Sequence, residues 1–304
     1  MTPAPSIPTA IADGQIDPFD LQVDGNDVYW MDWLVPPPVG WTGSEDRLTT
    51  LMTVDSQGLA APRILDHGEH QGSSANPSLI AMDAEFIFWA DTWGRFHQVD
   101  RLTEAATDVV SGQRVQAVVV DATHVYWSTQ GGELFRRDRT SGASSQLATG
   151  LGTIGASLAV DSTHIYWISK GGFAEDALMS LDKNGGTPSV VVDSLPIGQF
   201  TLDASDIYFS DQDTLYRVDK TGGLATVVAA DVRPLSELAL DGTHVYWGDL
   251  DPGNDGVALV RMDKATGAIA PLASGLTAVT DLALDQNSVY WTDRDSGVVM
   301  RLAK

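Results

Sequence analysis

The chain has 304 residues, of which 43% are hydrophobic and 19% are charged, and it contains no cysteine. This composition describes a folded globular protein with ample material for a core, and it excludes disulfides, thiol nucleophiles and cysteine-bound zinc. The formal net charge of −23 repels phosphate backbones and anionic lipid surfaces, so we expect no nucleic-acid partner.

The first ten residues, MTPAPSIPTA, have neither the basic segment nor the apolar segment of a signal peptide. They resemble the small, Pro-rich spacer that follows a removed signal. No apolar run approaches the roughly 20 residues that a membrane-spanning helix needs, so no membrane span is predicted. We therefore expect an extracellular or periplasmic protein.

Seven copies of one pattern follow, each a short apolar run, an aspartate, a turn and an aromatic strand. The anchoring aspartates of the last six copies are 38 to 44 residues apart, and the first interval of 59 residues contains an insertion. The copies are LQVDGNDVYWMD from Leu21, IAMDAEFIFWAD from Ile80, VVVDATHVYWST from Val118, LAVDSTHIYWIS from Leu158, FTLDASDIYFSD from Phe200, LALDGTHVYWGD from Leu238 and LALDQNSVYWTD from Leu282.

A period near 40 residues, built from short apolar runs and Gly/Asp/Asn turns, is typical of the blades of a β-propeller. Each copy resolves into four strands, and polarity rises from the first strand to the fourth. We predict an all-β, seven-bladed β-propeller of four-stranded blades as one domain over residues 1–304. The inner strands are expected near residues 20–24, 79–83, 117–121, 157–161, 199–203, 237–241 and 281–285.

The seventh copy ends after its third strand, which would leave a sheet edge exposed. The segment AIADGQIDPFDLQVD, from Ala10 to Asp24, matches PLASGLTAVTDLALD, from Pro271 to Asp285, without a gap. We therefore expect residues 6–13 to pair with the strand at Val298 to Ala303 and complete the last blade.

The repeated polar and aromatic residues are predicted to be structural. Each anchoring aspartate follows the innermost strand, where its side chain can accept hydrogen bonds from backbone N–H groups of the turn. The turn histidines His124, His164 and His244 are equivalent to Phe86 in another copy, which argues against a ring of metal ligands. Six tryptophans form a column of core residues, namely Trp30, Trp89, Trp127, Trp167, Trp247 and Trp291.

The sequence VYWTD at Val289 to Asp293 resembles the YWTD repeat of lipoprotein-receptor propellers, and the other VYW units are similar to the YVTN and NHL-like repeats of bacterial propellers. The resemblance implies a propeller fold. Receptor YWTD propellers have six blades, whereas seven are counted here. Secreted bacterial propellers are often modules that bind ligands or proteins, and a minority, including streptogramin lyases, lactonases and strictosidine synthase-like proteins, are enzymes with a site at one mouth of the channel.

Residues that break the repeat are the candidates for function. In propellers, the loops that enter the inner strands and those that follow the second strands share one face, which we call the loop face. The non-repeat tryptophans Trp33, Trp41 and Trp93 lie in such loops, and Pro36 to Pro38 stiffen the longest one. We expect these tryptophans to bind a ligand, or alternatively to be buried by their own insertion.

The loop that enters the second blade contains two further candidates, His67 and His70. Either histidine could serve as a general base or a metal ligand. The alternative is a solvated loop without chemistry, because long loops commonly carry polar residues.

Carboxylates are predicted at the mouth of the channel, four residues before the anchoring aspartates. Asp20, Glu237 and Asp281 occupy this column in blades one, six and seven, which ring closure makes contiguous. Three converging carboxylates can bind a hard cation such as Ca²⁺ or share protons with raised pKa values. The alternative is a water-filled acidic entrance.

The sequence as a whole favours a secreted or cell-surface propeller, rather than an enzyme, that binds a glycan, a small molecule or a protein partner on the loop face. One alternative is a cation-assisted lyase or lactone hydrolase at the channel mouth, with a histidine as base. Another is a purely structural scaffold.

Overall fold

A computed structural model describes residues 7–34, 48–69, 80–91, 95–110, 112–170, 176–193, 195–234, 236–251 and 256–304. Within these ranges the chain forms 28 β-strands. None of the described residues belongs to a helix long and apolar enough to cross a membrane.

The strands are short and follow one another with the predicted period. Those of the first half are β1 (Thr9–Ala12), β2 (Phe19–Val23), β3 (Asp27–Leu34), β4 (Leu48–Asp55), β5 (Arg63–Glu69), β6 (Ile80–Met82), β7 (Phe86–Ala90), β8 (Phe96–Asp100), β9 (Ala106–Val110), β10 (Val115–Val120), β11 (His124–Thr129), β12 (Leu134–Asp138), β13 (Ser144–Ala148) and β14 (Thr153–Val160). Those of the second half are β15 (His164–Lys170), β16 (Ala177–Asp182), β17 (Ser189–Val192), β18 (Phe200–Leu202), β19 (Asp206–Ser210), β20 (Thr214–Asp219), β21 (Thr226–Ala230), β22 (Ala239–Leu240), β23 (His244–Asp251), β24 (Gly256–Asp263), β25 (Ile269–Leu276), β26 (Leu282–Leu284), β27 (Ser288–Asp293) and β28 (Val298–Ala303).

These strands make seven antiparallel sheets of four strands each. Six sheets use four consecutive strands, from β2–β5 to β22–β25, and we number the blades one to six in that order. The seventh has the order β1-β28-β27-β26, so both ends of the chain contribute to it. The predicted seven-bladed, four-stranded propeller, closed by an N-terminal strand, is confirmed.

The core lies between neighbouring blades rather than inside any one of them. The six repeat tryptophans are at most 1% exposed. One apolar cluster joins Leu21 and Trp30 of blade one to Ala283 and Tyr290 of blade seven. The aromatic residues of the second strand of each blade are buried at these boundaries, as the sequence predicts.

The anchoring aspartates make the turns that the sequence predicts. In every blade the Oδ1 atom accepts the N–H groups of the residues two and three positions later, at 2.6–3.0 Å. We call the face that carries these turns the turn face. The seven residues are Asp24, Asp83, Asp121, Asp161, Asp203, Asp241 and Asp285. Their structural role is confirmed.

A second set of contacts joins each blade to the next. In six blades the Oδ2 atom of the anchoring aspartate pairs with a lysine or arginine from the following blade. The pairs are Asp24 with Arg101, Asp83 with Arg139, Asp121 with Lys183, Asp161 with Lys220, Asp203 with Lys264 and Asp241 with Lys304. In the four lysine pairs, Nζ also lies 5.3–6.0 Å from the centre of a tyrosine ring of the preceding blade.

The ionisation of these aspartates reflects the balance of burial and bonding. Burial opposes the charged form of Asp203, but the Lys264 ammonium and the backbone N–H groups of the turn outweigh burial and lower its pKa to about 2. The pKa of Asp161 is also lowered, because N–H groups and Lys220 again outweigh burial. The carboxylates of Asp161 and Asp203 therefore stay charged throughout the neutral range.

Ring closure depends on a close backbone approach between the two ends of the chain. In β1 and β28, Thr9 is opposite Arg301 and Ala10 is opposite Met300. Beyond β1, the N–H of Gln15 donates to the carbonyl of Gly297 at 2.9 Å. Gly297 has a φ of +64°, and a Cβ atom there would lie 2.1 Å from the Gln15 carbonyl oxygen.

We expect Gly297→Ala to destabilise the protein more than Gly14→Ala, by about 2 kcal/mol. Both glycines have positive φ, and alanine therefore strains both backbones by about 1 kcal/mol, but only the Cβ at position 297 collides with backbone, since nothing lies within 4 Å of one at Gly14. Urea unfolding of the two variants measures the difference. Equal midpoints would contradict the close approach of Gln15 to Gly297.

Candidate functional site at the channel mouth

The predicted channel-mouth carboxylates lie where inner strands begin, on the loop face. Asp20 is the second residue of β2, Asp281 directly precedes β26, and Glu237 lies two residues before β22. The closed ring places blades six, seven and one next to each other. The sequence therefore predicts correctly that the blades carrying these residues are neighbours.

The Asp20 side chain links β2, the inner strand of blade one, to β6, the inner strand of blade two. Its backbone has a φ of +53°, which is uncommon for a residue with a side chain. The residue is only 5% exposed, and its Oδ2 atom accepts the backbone N–H of Ile80 at 2.6 Å. The carboxylate is thereby directed towards blade two.

Asp281 and Glu237 form a carboxyl pair. The hydroxyl of Thr292 donates to Oδ2 of Asp281 at 2.8 Å. Burial, followed by the negative charge of Asp281, raises the pKa of Glu237 to about 8. Burial also raises the pKa of Asp281, although Thr292, the N–H of Asp20 and Arg294 oppose this effect. At neutral pH this pair therefore retains a proton.

The arrangement differs from three converging carboxylates. Glu237 and Asp281 interact with each other, whereas Asp20 contributes its backbone N–H to Asp281 and directs its carboxylate to Ile80. Across the described ranges, no group of three or more His, Asp or Glu side chains is arranged to hold a metal ion. Calcium binding by Asp20, Glu237 and Asp281 stays a prediction that would require Asp20 to leave Ile80.

An ion pair beside these carboxyls was not predicted from the sequence. Arg294, which directly follows β27, donates from Nε to Asp17 Oδ1 at 2.5 Å and from its terminal nitrogen to Oδ2 at 2.8 Å. Oδ2 of Asp17 also accepts the indole N–H of Trp33 at 3.0 Å. The Trp33 ring packs against Phe19, with 5.6 Å between ring centres. Both charged side chains keep about a third of their surface exposed, 31% for Asp17 and 32% for Arg294.

Asp32 fixes the backbone segments that carry Asp17 and Trp33. It is 5% exposed and accepts the backbone N–H groups of Ile16, Asp17 and Trp33 at 2.8–3.2 Å. Burial raises its pKa in spite of these bonds. The bonds fix the segment that carries Asp17 and the strand end that carries Trp33, so the ion pair and the indole keep a defined relative position.

The other predicted site residues are only partly described. The sequence-based placement of His67 in the loop that enters blade two is wrong, because β5, the outer strand of blade one, extends to Glu69. His67 is an exposed residue of that strand, opposite Thr50 in β4. His70, Trp41 and Trp93 lie outside the described residues. Trp33 alone among the predicted tryptophans is placed, and it is partly buried. Their predicted roles stay predictions.

His97 is a buried histidine that the sequence analysis missed. It is 6% exposed and stacks on Trp89, with 4.4 Å between ring centres. Its Nδ1 atom lies 3.3 Å from Asp108 Oδ1, and its Nε2 atom lies 3.8 Å from Asp91 Oδ2. Equivalent positions hold Met52, Phe135, Met179, Tyr216, Val260 and Met300. An alignment of this third-strand column would have shown a histidine in an apolar position.

No family model matches the chain. No curated protein matches it either. Many solved structures share the fold. One is the extracellular domain of a one-component system from B. thetaiotaomicron, with 10% identity and a TM-score of 0.67, covering 98% of this chain and 40% of that one.

Two further structural neighbours are a peptidase and a propeller domain. A puromycin-hydrolysing peptidase of Mycobacterium tuberculosis has 16% identity and a TM-score of 0.69 over 93% of this chain and 52% of its own. The β-propeller domain of Cps50 (Swd1) from Myceliophteria thermophila has 10% identity and a TM-score of 0.68 over 97% and 99%. The chain thus spans about two-fifths and about half of the first two neighbours. Identities this low show the β-propeller fold alone.

We expect Glu237→Gln to flatten the pH dependence of stability. The folded protein keeps a proton on Glu237 up to about pH 8, whereas the unfolded chain releases it near pH 4.5, so this contribution to stability is complete below pH 4.5 and is lost as pH rises to about 8. Glutamine does not titrate. Melting temperatures of variant and wild type should be close at pH 5, and the variant should melt roughly 2–6 °C higher at pH 8.5.

The matched control is Asp13→Asn, which likewise replaces a carboxyl by an amide, but at an exposed position. Its melting temperature should follow the wild-type curve at every pH. Parallel curves for Glu237→Gln and the wild type would contradict the raised pKa.

Proposed function

We propose that this chain is an exported propeller that binds a hydroxyl-rich small molecule or glycan on the loop face, beside the channel mouth. The observation that carries the proposal is the group formed by Asp17, Arg294 and Trp33. A carboxylate and a guanidinium, each about one-third exposed, are bonded to each other, and the carboxylate also accepts the N–H of an indole ring.

The chemistry of this group suits such a ligand. The Arg294 N–H groups donate and the Asp17 oxygens accept, so adjacent hydroxyl groups can bond to both. The partly buried Trp33 ring offers an apolar face next to them. Because Asp32 fixes the backbone on which Asp17 and Trp33 lie, little ordering is required when a ligand binds.

The proposal includes export of the protein and its membership of a repeat family. An extracellular domain among the structural neighbours supports a secreted or cell-surface location. The sequence VYWTD at Val289 to Asp293, together with the propeller fold, supports membership of the YWTD/YVTN (NHL-like) repeat propellers. A protein partner on the loop face is the alternative occupant within this proposal.

An enzyme at the same mouth is the second candidate, and the Glu237–Asp281 pair favours it. A carboxyl that keeps its proton at neutral pH can act as a general acid, as lyase and lactone-hydrolase chemistry requires. The cation-assisted form of this candidate adds Ca²⁺ on Asp20, Glu237 and Asp281, with His67 or His70 as base.

We expect Trp33→Ala to weaken ligand binding at least tenfold, a loss of about 1.4 kcal/mol, because it removes the aromatic face and the N–H bond to Asp17. The ligand would be identified on a glycan array and in a small-molecule thermal-shift screen, and its affinity measured by calorimetry. Trp33→Phe, which keeps packing against Phe19, should lose less.

Leu102→Ala changes a 92% exposed side chain on the turn face and should bind normally. Full binding by Trp33→Ala would refute the proposal, whereas binding only to proteins would favour the alternative occupant.

The enzyme candidate predicts turnover of a lactone or lyase substrate that Glu237→Gln reduces about a hundredfold or more, since general acids contribute on the order of 10² to 10⁴ in rate. Turnover would be measured across pH 5–9 with and without EDTA. Loss in EDTA supports the cation-assisted form, and retention supports the carboxyl pair alone. Equal rates for the wild type and Glu237→Gln would contradict both forms.

A further inference from the structure

The boundary between blades seven and one differs from the other six on the turn face. At the six other boundaries, a lysine or arginine of the following blade pairs with the anchoring aspartate. Blade one has Ser56 at this position. The Ser56 N–H donates to the Asn26 carbonyl at 2.8 Å, as the Lys304 N–H donates to the Asn287 carbonyl at 3.0 Å. The backbone register is therefore the same, and only the cationic side chain is missing.

Asp285 is the aspartate that lacks this cation. Its Oδ1 atom accepts the N–H groups of Asn287 and Ser288, and its Oδ2 atom accepts the Tyr290 hydroxyl at 2.8 Å. No lysine or arginine in the described part of the chain lies within ion-pair distance of it. The aspartate and tyrosine that hold a cation elsewhere are thus both present here.

Open space lies next to Asp285. A cavity of about 520 Å³ separates the turn of blade seven from that of blade one, and its lining includes Asp285, Asn287, Asp24 and Asn26 but no lysine or arginine. The corresponding cavity between blades one and two, of about 690 Å³, is lined by Arg101, whose guanidinium pairs with Asp24, so both boundaries have open space and they differ in the cation. A cavity of this size is suited to a small organic ligand or an inserted side chain.

We propose that this cavity binds a primary ammonium group, which completes the seventh ion pair of the ring. The occupied copies define its contacts. Lys264 donates to Asp203 Oδ2 at 2.9 Å and to the Asp241 carbonyl at 2.7 Å, and it lies 5.3 Å from the centre of the Tyr208 ring. By the same geometry, the ammonium donates to Asp285 Oδ2 and to the Asp24 carbonyl, beside the Tyr290 ring.

The chemistry of the cavity selects this class of ligand. The net charge of −23 attracts cations to the surface. One carboxylate oxygen, one carbonyl and an aromatic ring match three N–H donors and a short alkyl chain, whereas a calcium ion takes six to eight oxygen ligands. The ammonium belongs either to a free amine or to a lysine side chain of a partner. The cavity is on the turn face, so this proposal is independent of binding on the loop face.

The experiment is a thermal-shift titration with butylammonium, compared with tetramethylammonium at equal concentration, which has the charge but no N–H donor. We expect a saturable rise of roughly 2–4 °C in melting temperature for the wild type with butylammonium only. Ser56→Lys should raise the melting temperature without ligand and abolish the response, whereas Ser56→Met should respond like the wild type. A Gly-Lys-Gly peptide tests the second source, and a shift with the peptide alone assigns the site to a partner's lysine.

Two further variants keep the test decisive if Ser56→Lys does not fold. Asp285→Asn keeps the turn acceptor but removes the charge, and it should lose the response to butylammonium. Lys220→Ala removes the cation that pairs with Asp161, so its lowered melting temperature should rise by about twice the wild-type shift, because butylammonium then fills two sites. A wild-type response equal to that of Asp285→Asn, or no response to either butylammonium or the peptide, would overturn the proposal.

Discussion

The propeller depends on a single carboxylate that is repeated seven times. One oxygen of each anchoring aspartate closes the turn after the innermost strand. At six boundaries the other oxygen bonds to the next blade, so a turn that forms within one blade also creates the docking point for its neighbour. Local and long-range structure are therefore coupled through one side chain, and hydrogen bonds in such a network strengthen one another. Because of this coupling, the boundary at which Ser56 stands in place of a lysine or arginine leaves one anchoring aspartate, Asp285, without a cation among the described residues.

Much of the fold could be predicted from the sequence because the same pattern occurs in seven copies. The period gives the blades, the aspartate gives the turn, and the gap-free match between the two chain ends gives the closing strand. The cross-blade cations were not predicted, although Lys183 and Lys220 stand at the same point of the repeat. Their partners depend on the rotation between neighbouring sheets, and a linear period contains no information about that angle.

The candidate site was less predictable for the same reason. The column of Asp20, Glu237 and Asp281 correctly indicated neighbouring blades, but the positive φ of Asp20 directs its side chain away from the other two. Arg294 and Asp17 are nearly a whole chain length apart and meet only because the ring closes. The candidate site thus lies where the repeat is broken, near the place where the two ends of the propeller are joined.

The closing strand also constrains how the protein is made. A ribosome synthesises β1 long before β28, so β1 has no partner strand until β28 emerges. Pairing segments so far apart in the chain carries a large entropic cost and is slow. Until β28 pairs with β1, the molecule is consequently an open arc with unprotected strand edges, which are prone to pair with other chains.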